Sequence, residues 1–301
     1  MSYFNKIISA ALPIFPPIVI KPFAMRYVAG ETVEKVIDTV KELNDNGFLS
    51  TLDILGEHVN TREESYDIRD AYCSLYNRLA NEELNCTISL KLTHIGLEID
   101  QNLARDNLFT ILETARECEK SLTIDMENSP YTDITLKLYK EAMEQYKQVG
   151  TVLQAYLNRS INDLNMLMSP HLKLRICKGI YREVPEIAYQ NRDDIRDNFI
   201  KLVKTLLEGQ GYAEIATHDI FLIDTLETWI KNKRIALDRF EFQVLYGVPM
   251  GNRLKQLLEK GYKVRIYVPF GEEWYPYSVR RLKENPNLAG YIFKNLFRKS
   301  S

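Results

Sequence analysis

Two adjacent arginines near the end of the chain, Arg280 and Arg281, follow Trp274-Tyr-Pro276-Tyr277 and precede Glu284 and Pro286. Pro276 suits the first turn of a helix and Pro286 stops one. At about 100° per residue, Tyr277, Arg280, Arg281 and Glu284 share one arc roughly 100° wide, with Val279 and Leu282 on the other side. A run of this kind forms either a solvated charged face or an anion clamp. In a clamp, two guanidinium forks hold a carboxylate bidentately, with charge-assisted hydrogen bonds worth about 1.5–3 kcal/mol each. Asp125 or Glu127 would counter one arginine while no anion is held.

Further polar residues recur in and just after short apolar runs: Lys91 before Thr93-His94, Asp125-Met126-Glu127, Gln154 with Tyr156, Arg175 with Lys178-Gly179, Thr217-His218-Asp219, and Tyr267 before Gly271. Any one of these fits a structural ion pair; their recurrence favours a site. The four histidines, His58, His94, His171 and His218, form no H-x-H or H-E-x-x-H pattern, so no metal site is expected. His218, after a strand-like run, suits substrate or cofactor binding. There is no G-x-S-x-G elbow, and Gly209-Gln-Gly211 follows a helix, the wrong context for a Rossmann turn. Cys73, Cys86, Cys118 and Cys177 show no C-x-x-C spacing, consistent with a reduced, cytoplasmic chain.

The elements that must position these groups follow from periodicity. Eight β-rich runs end in polar residues or glycine: Phe48–Leu55, Thr87–Leu92, Leu122–Met126, Thr151–Leu157, Leu172–Cys177, Ala213–Ala216, Phe240–Leu245 and Val264–Val268. Between them, Thr32–Asn44, Ser65–Leu79, Asn102–Cys118 and Asp133–Gln148 space apolar residues by three and four, as amphipathic helices do. Near-continuous apolar strands alternating with helices predict parallel strands buried on both faces, and eight such units predict a (β/α)8 TIM barrel of α/β class. No Pro/Gly/Ser-rich linker divides the 301 residues. The expected organisation is an N-terminal arm over residues 1–30 and one barrel domain over 31–301. The apolar run Ile7–Ile20 is too short to span a bilayer as a helix, and Pro13, Pro16 and Pro17 interrupt it. It reads as a packed or membrane-touching arm. With Lys+Arg 39 against Asp+Glu 41, no positive field exists to hold nucleic acid.

Taken together, these stretches resemble the FAD-dependent proline dehydrogenases in their short monofunctional bacterial form. The resemblance rests on Ser89-Leu-Lys91-Leu, Ile124-Asp125-Met-Glu127, Leu153-Gln154-Ala-Tyr156-Leu and Leu174-Arg175-Ile-Cys-Lys178-Gly179-Ile-Tyr181. It continues through Ile215-Ala-Thr217-His218-Asp, Phe240-Glu-Phe-Gln243-Val-Leu245-Tyr-Gly247, Arg265-Ile-Tyr267-Val-Pro-Phe-Gly271 and Tyr277-x-x-Arg280-Arg281-Leu-x-Glu284. These run in family order from about Arg26 to the C-terminus. The resemblance implies a distorted barrel whose last helix lies over the mouth. It implies that Arg280 and Arg281 hold the carboxylate of L-proline, that Lys91 and Asp125 order that ion-pair network, and that Leu245, Tyr267 and Tyr277 shape the ring pocket. Arg175 would sit beside the flavin; Met126, Gln154, Lys178, Gly179, Ile180, Thr217, His218 and Glu284 would hold FAD. The implied reaction is oxidation of L-proline to Δ1-pyrroline-5-carboxylate, the first step of proline degradation to glutamate, with electrons passed to a quinone. Transient contact with the inner face of the membrane is also implied. The chain is too short to include the aldehyde dehydrogenase of bifunctional relatives.

Three other functions compete. A 4-hydroxyproline dehydrogenase would carry a smaller residue than Tyr267, leaving room for the hydroxyl. A Schiff-base aldolase would use Lys91 or Lys178 as nucleophile, with a depressed pKa. A non-catalytic barrel could serve as a binding module, against which the intact set of site residues speaks.

Overall fold

The computed structural model describes Lys21 and residues 24–284, with the helical backbone alone for 280–284. Thr32 caps the first helix, α1 (Val33–Asp45), which precedes strand β1 (Leu49–Ile54). Strands and helices then alternate: α2 (Arg62–Ala80), β2 (Cys86–Leu90), α3 (Gln101–Glu117), β3 (Leu122–Ile124), α4 (Thr132–Gln145), β4 (Val149–Gln154) and α5 (Ser160–Leu167). The series ends with β5 (Lys173–Cys177), α6 (Arg192–Glu208), β6 (Tyr212–Ala216), α7 (Ile220–Lys233), β7 (Phe240–Leu245), α8 (Arg253–Glu259), β8 (Val264–Phe270) and α9 (Trp274–Glu284).

Local chemistry fixes the boundaries. Thr61 and Glu64 form a reciprocal capping box at α2, and Asp100 and Asn191 cap α3 and α6 through their side-chain oxygens. The buried stripe of α2 is Ser65, Tyr72, Leu75, Tyr76 and Leu79, matching the predicted helical spacing. All eight strands are parallel and close into a barrel, with β8 paired to β1 from Leu49↔Arg265 through Ile54↔Phe270.

The strands are less uniformly apolar than expected. Leu52, Ile88, Leu90, Ile124, Leu174, Ile176, Ile215, Phe242, Val244, Ile266 and Val268 belong to the apolar core. Alternating with them, Thr51, Asp53, Ser89, Asp125, Arg175, Glu214, Glu241, Gln243 and Arg265 are buried polar residues. Successive strand side chains point to opposite faces, so the second set fills the barrel lumen and bonds across it; Thr51 meets Thr87 at 2.8 Å, for example. One wall is oil and the other is a charge network.

Several strand ends depart from expectation, with β2 stopping at Leu90 rather than Leu92 and β4 running Val149–Gln154 rather than Thr151–Leu157. β3 stops at Ile124 rather than Met126, although the Asp125 N–H still donates to Leu90 O at 2.8 Å. β8 continues to Phe270 through Pro269, whose missing N–H lies beyond the β7 pairing, which ends at Leu245↔Tyr267.

The chain before α1 packs against the same end of the barrel. Ala24, Tyr27 and Val28 are buried, the Ala29 N–H donates to Pro269 O at 3.0 Å, and the Gly271 N–H donates to Gly30 O at 2.9 Å. The expected apolar arm, Ile7–Ile20, lies outside the described residues. Among the described residues, no helix is long and apolar enough to cross a membrane.

Candidate active site

The C-terminal ends of the strands enclose a cavity of about 550 Å³. Its wall brings together Lys91, Asp125, Met126, Gln154, Arg175, Lys178, Gly179, Ile180, Thr217, His218, Leu245, Tyr267 and Tyr277. Tyr277 comes from α9, which therefore closes part of the mouth. The side chains of Arg280, Arg281 and Glu284 lie outside the described residues, as does any contact they make.

Arg175, only 5% exposed, is the centre of the network. Its Nη1 donates to Asp125 Oδ1 at 2.5 Å, its Nη2 to Ser89 Oγ at 3.0 Å, and its Nε to Gln243 Oε1 at 2.8 Å. The Tyr267 hydroxyl donates to the other Asp125 oxygen at 2.7 Å, and the guanidinium carbon lies 5.1 Å from the Tyr267 ring centroid. Burial opposes the charge on Arg175, but Asp125 and Glu214 outweigh it and raise the pKa. Burial beside Asp125 holds the Tyr267 phenol well above its ordinary range, so it stays a donor.

A second pair lies beside the first. Lys91 donates to both oxygens of Asp53, at 3.2 and 3.1 Å, with side-chain exposures of 14% and 2%. Burial works against the Lys91 charge, yet Asp53 and Asp125 raise its pKa above the ordinary lysine value. Burial raises the Asp53 pKa in turn, against the pull of Lys91.

The opposite wall carries groups suited to a cofactor. Gln154 donates through Nε2 to Met126 O at 3.1 Å, while its buried Oε1 has no partner among the described residues. Lys178, Arg192 and Arg196 converge on Asp219, with nearest approaches of 2.5, 3.4 and 2.9 Å, and the Asp219 N–H donates to Thr217 Oγ1. Although burial pushes the other way, these cations hold the Asp219 carboxyl well below the usual range. The Leu245 N–H donates to His218 Nε2 at 2.9 Å, which requires a lone pair there and leaves the ring proton on Nδ1. Gly179 has φ +103°, and a Cβ there would stand 2.1 Å from the Tyr156 ring. An unpartnered acceptor, cations beside the cavity and close backbone approach together fit a heterocyclic, phosphate-bearing group such as FAD. Among the described residues, no cluster of His, Cys, Asp and Glu would hold a metal ion.

Three details add to the sequence-based picture. Asp125 bonds Arg175 and Tyr267 while Lys91 bonds Asp53, and the charge of Asp125 still acts on both Lys91 and Asp53. Both oxygens of Glu127 accept from Thr93, through the backbone N–H at 3.1 Å and Oγ1 at 2.5 Å. It takes the Thr93 N–H at the start of the short turn Thr93–Ile95, while the His94 and Ile95 N–H groups donate to Lys91 O and Leu92 O. Asp53, Asp219 and Gln243 escaped assignment; the signal for Asp53 was a lone carboxylate in the middle of the first apolar run.

Residues 36–292 match the family described as Proline dehydrogenase. Proline dehydrogenase 1 of Bacillus subtilis (strain 168) is 35% identical over 276 residues, 92% of this chain and 91% of that protein. Proline dehydrogenase 2 of the same strain is 38% identical over 276 residues, again 92% of this chain and 91% of that protein. Proline dehydrogenase of Deinococcus radiodurans is 33% identical over 280 residues, 91% of this chain and 90% of that protein. The solved structure of proline utilization A (PutA) from Bdellovibrio bacteriovorus, inactivated by N-propargylglycine, aligns with a TM-score of 0.82 at 25% identity. That alignment covers 89% of this chain and 33% of the PutA chain, so this barrel spans about a third of the larger protein. With most of its length matched to the family and to three relatives nearly end to end, the chain belongs to the proline dehydrogenase family.

Proposed function

We propose that this chain oxidises L-proline to Δ1-pyrroline-5-carboxylate in the cavity at the barrel mouth. The observation that carries this reading is the buried Arg175–Asp125–Tyr267 assembly, which opens with Lys91 onto one cavity also walled by cofactor-suited groups. The reaction takes a hydride from the ring carbon beside nitrogen and a proton from nitrogen. FAD, when bound, supplies the hydride acceptor. Met126, Gln154, Lys178, Gly179, Ile180, Thr217, His218 and Glu284 are the residues proposed to hold it. Arg280 and Arg281 on α9 clamp the proline carboxylate, and Leu245, Tyr267 and Tyr277 enclose the ring and exclude water. A proline bound with its amine uncharged needs no conventional base in the cavity.

Two competing readings lose ground on specific observations. A Schiff-base lysine needs a lowered pKa, but Asp53 and Asp125 raise that of Lys91, and Lys178 is tied to Asp219 at 2.5 Å. For 4-hydroxyproline, the resemblance implies a residue smaller than the tyrosine that stands on the cavity wall at 267.

Electrons leave to a quinone, and the mouth is the part that meets the membrane. Ile180, Val184, Ile187, Tyr189, Ile220 and Phe221 are exposed large apolar residues in the two segments beside the cavity, next to Lys178, Arg192 and Arg196. The decisive experiment is to purify the protein, record its flavin spectrum and add L-proline. Bleaching by L-proline is expected. A protein that takes up no added FAD, or one bleached faster by trans-4-hydroxy-L-proline, would overturn the assignment.

A further inference from the structure

At the cavity wall, Arg175 is placed between two buried carboxylates. Asp125 is reached by Nη1 at 2.5 Å toward the mouth, and Glu214 Oε2 lies 3.6 Å from Nε deeper in the barrel. Nε carries one hydrogen, and that hydrogen goes to Gln243 Oε1 at 2.8 Å instead of Glu214. The Gln243 amide cannot turn over, because its Nε2 donates to Glu241 Oε1 at 2.7 Å, and a carboxylate accepts only. Glu241 is itself anchored by Arg265 through both oxygens and by the Tyr212 hydroxyl at 3.0 Å.

We infer that Gln243 is a positioning residue: by occupying Nε of Arg175 it prevents Glu214 from drawing the guanidinium down the lumen and away from Asp125. The chain Arg265, Glu241, Gln243, Arg175 transmits the rigidity of the barrel base to the mouth. Without the Gln243 oxygen, Arg175 turns toward Glu214, and of these two donors Asp125 keeps only the Tyr267 hydroxyl. This inference rests on the proposed function for its catalytic consequence, while the geometry stands independently of it.

The test is a double-mutant cycle on the full chain with Gln243→Met, Glu214→Gln and both together. Its readouts are the midpoint potential of the bound flavin and the split between kcat and KM for proline. Gln243→Met is expected to lower the potential and to reduce kcat by about 100-fold, the scale of an ångström-level misplacement. Adding Glu214→Gln removes the competitor and recovers most of both losses, a non-additive outcome. Equal effects of Gln243→Met in both backgrounds would overturn the inference. Should Gln243→Met fail to fold, Gln243→Glu keeps the side-chain length and an oxygen facing Nε. Its potential should respond to Glu214→Gln no more than that of the native chain does; a larger response overturns the inference. A flavin-independent arm follows the Arg175 Nε–H signal in arginine-15N-labelled protein, assigned with Arg175→Lys. Gln243→Met must shift that signal when Glu214 is present and shift it less when Glu214 is replaced. If the native chain takes up no flavin, the proposed function falls, and this arm alone decides the role of Gln243.

Discussion

Lys91 and Asp53 meet at the ends of β2 and β1, the ammonium held by both carboxylate oxygens at 3.2 and 3.1 Å on the cavity wall. Both side chains are largely withdrawn from water, Asp53 at 2% exposure and Lys91 at 14%. The pair keeps a charged lysine in a site where burial alone would neutralise it.

Asp53→Asn is therefore expected to cost about 3–5 kcal/mol of unfolding free energy, because an unpaired buried ammonium remains. Denaturant unfolding at neutral pH measures this. Losses within experimental error would mean that Asp125 alone suffices for Lys91. The same variant should raise KM for proline, through a Lys91 that sheds its proton more easily.

Tyr267 separates two contributions. Tyr267→Phe deletes the donor to Asp125 at 2.7 Å but keeps the ring over Arg175. A hydrogen bond to a charged group is worth about 1.5–3 kcal/mol, so kcat/KM should fall roughly 10- to 100-fold. Tyr267→Ser removes the ring as well, and the vacated space should move preference toward trans-4-hydroxy-L-proline. Steady-state kinetics with both substrates checks the pair; an unchanged ratio in Tyr267→Ser would remove Tyr267 from specificity.

The architecture was legible because alternation of short β-rich runs with 3.6-period helices is written locally, and the eight runs coincide with the eight strands to within a few residues. The lumen was not, since a polar residue inside an apolar run does not say which residue it meets across a barrel. Arg175 and Gln243 are 68 positions apart, and Arg265 reaches the carbonyl of Ser50 215 positions away. Lys91 and Asp125 were recognisable as site residues from the ends of their runs. Their separate partners, Asp53 and Arg175, required the closure of β1 against β2 and the register of the barrel.

Gly179 offers a test confined to the backbone. Alanine there would have to adopt φ +103° and place its Cβ 2.1 Å from the Tyr156 ring. Strain of this kind costs about 1–3 kcal/mol. Gly179→Ala should lower the melting temperature and weaken flavin uptake more than it affects the fold as judged by circular dichroism. Normal flavin content would show that the 178–181 turn does not touch the cofactor.

The apolar rim makes a separable prediction. Val184 and Ile187 are 53% and 37% exposed, whereas the Phe221 ring carries the Arg196 guanidinium at 4.7 Å. Val184→Asp with Ile187→Asp should reduce co-sedimentation with phosphatidylglycerol-containing vesicles while flavin content and proline turnover with a soluble acceptor stay near native. Undiminished sedimentation would move the membrane contact elsewhere, with residues 1–20 the next segment to delete.

His94 supplies a pH dependence whose sign can be worked out. The ring is 3% exposed, packs edge-on against Tyr72 at 6.1 Å between centroids, and has no partner for Nδ1 among the described residues. Burial, reinforced by the Lys91 charge, pushes its pKa down from 6.5 to about 3. The unfolded chain therefore takes up a proton near pH 6.5 that the folded chain refuses until near pH 3. Between those values the unfolded state binds more protons, so stability falls as the pH drops, by up to about 1.4 kcal/mol per unit from this group alone. Above pH 6.5 the contribution is complete. His94→Asn removes the titration, so its stability deficit relative to the native chain should narrow by roughly 2–3 kcal/mol between pH 7.5 and pH 4.5. Urea unfolding of both chains at the two pH values decides it; a deficit that does not change with pH would show that His94 is protonated, or solvent-accessible, in the folded barrel.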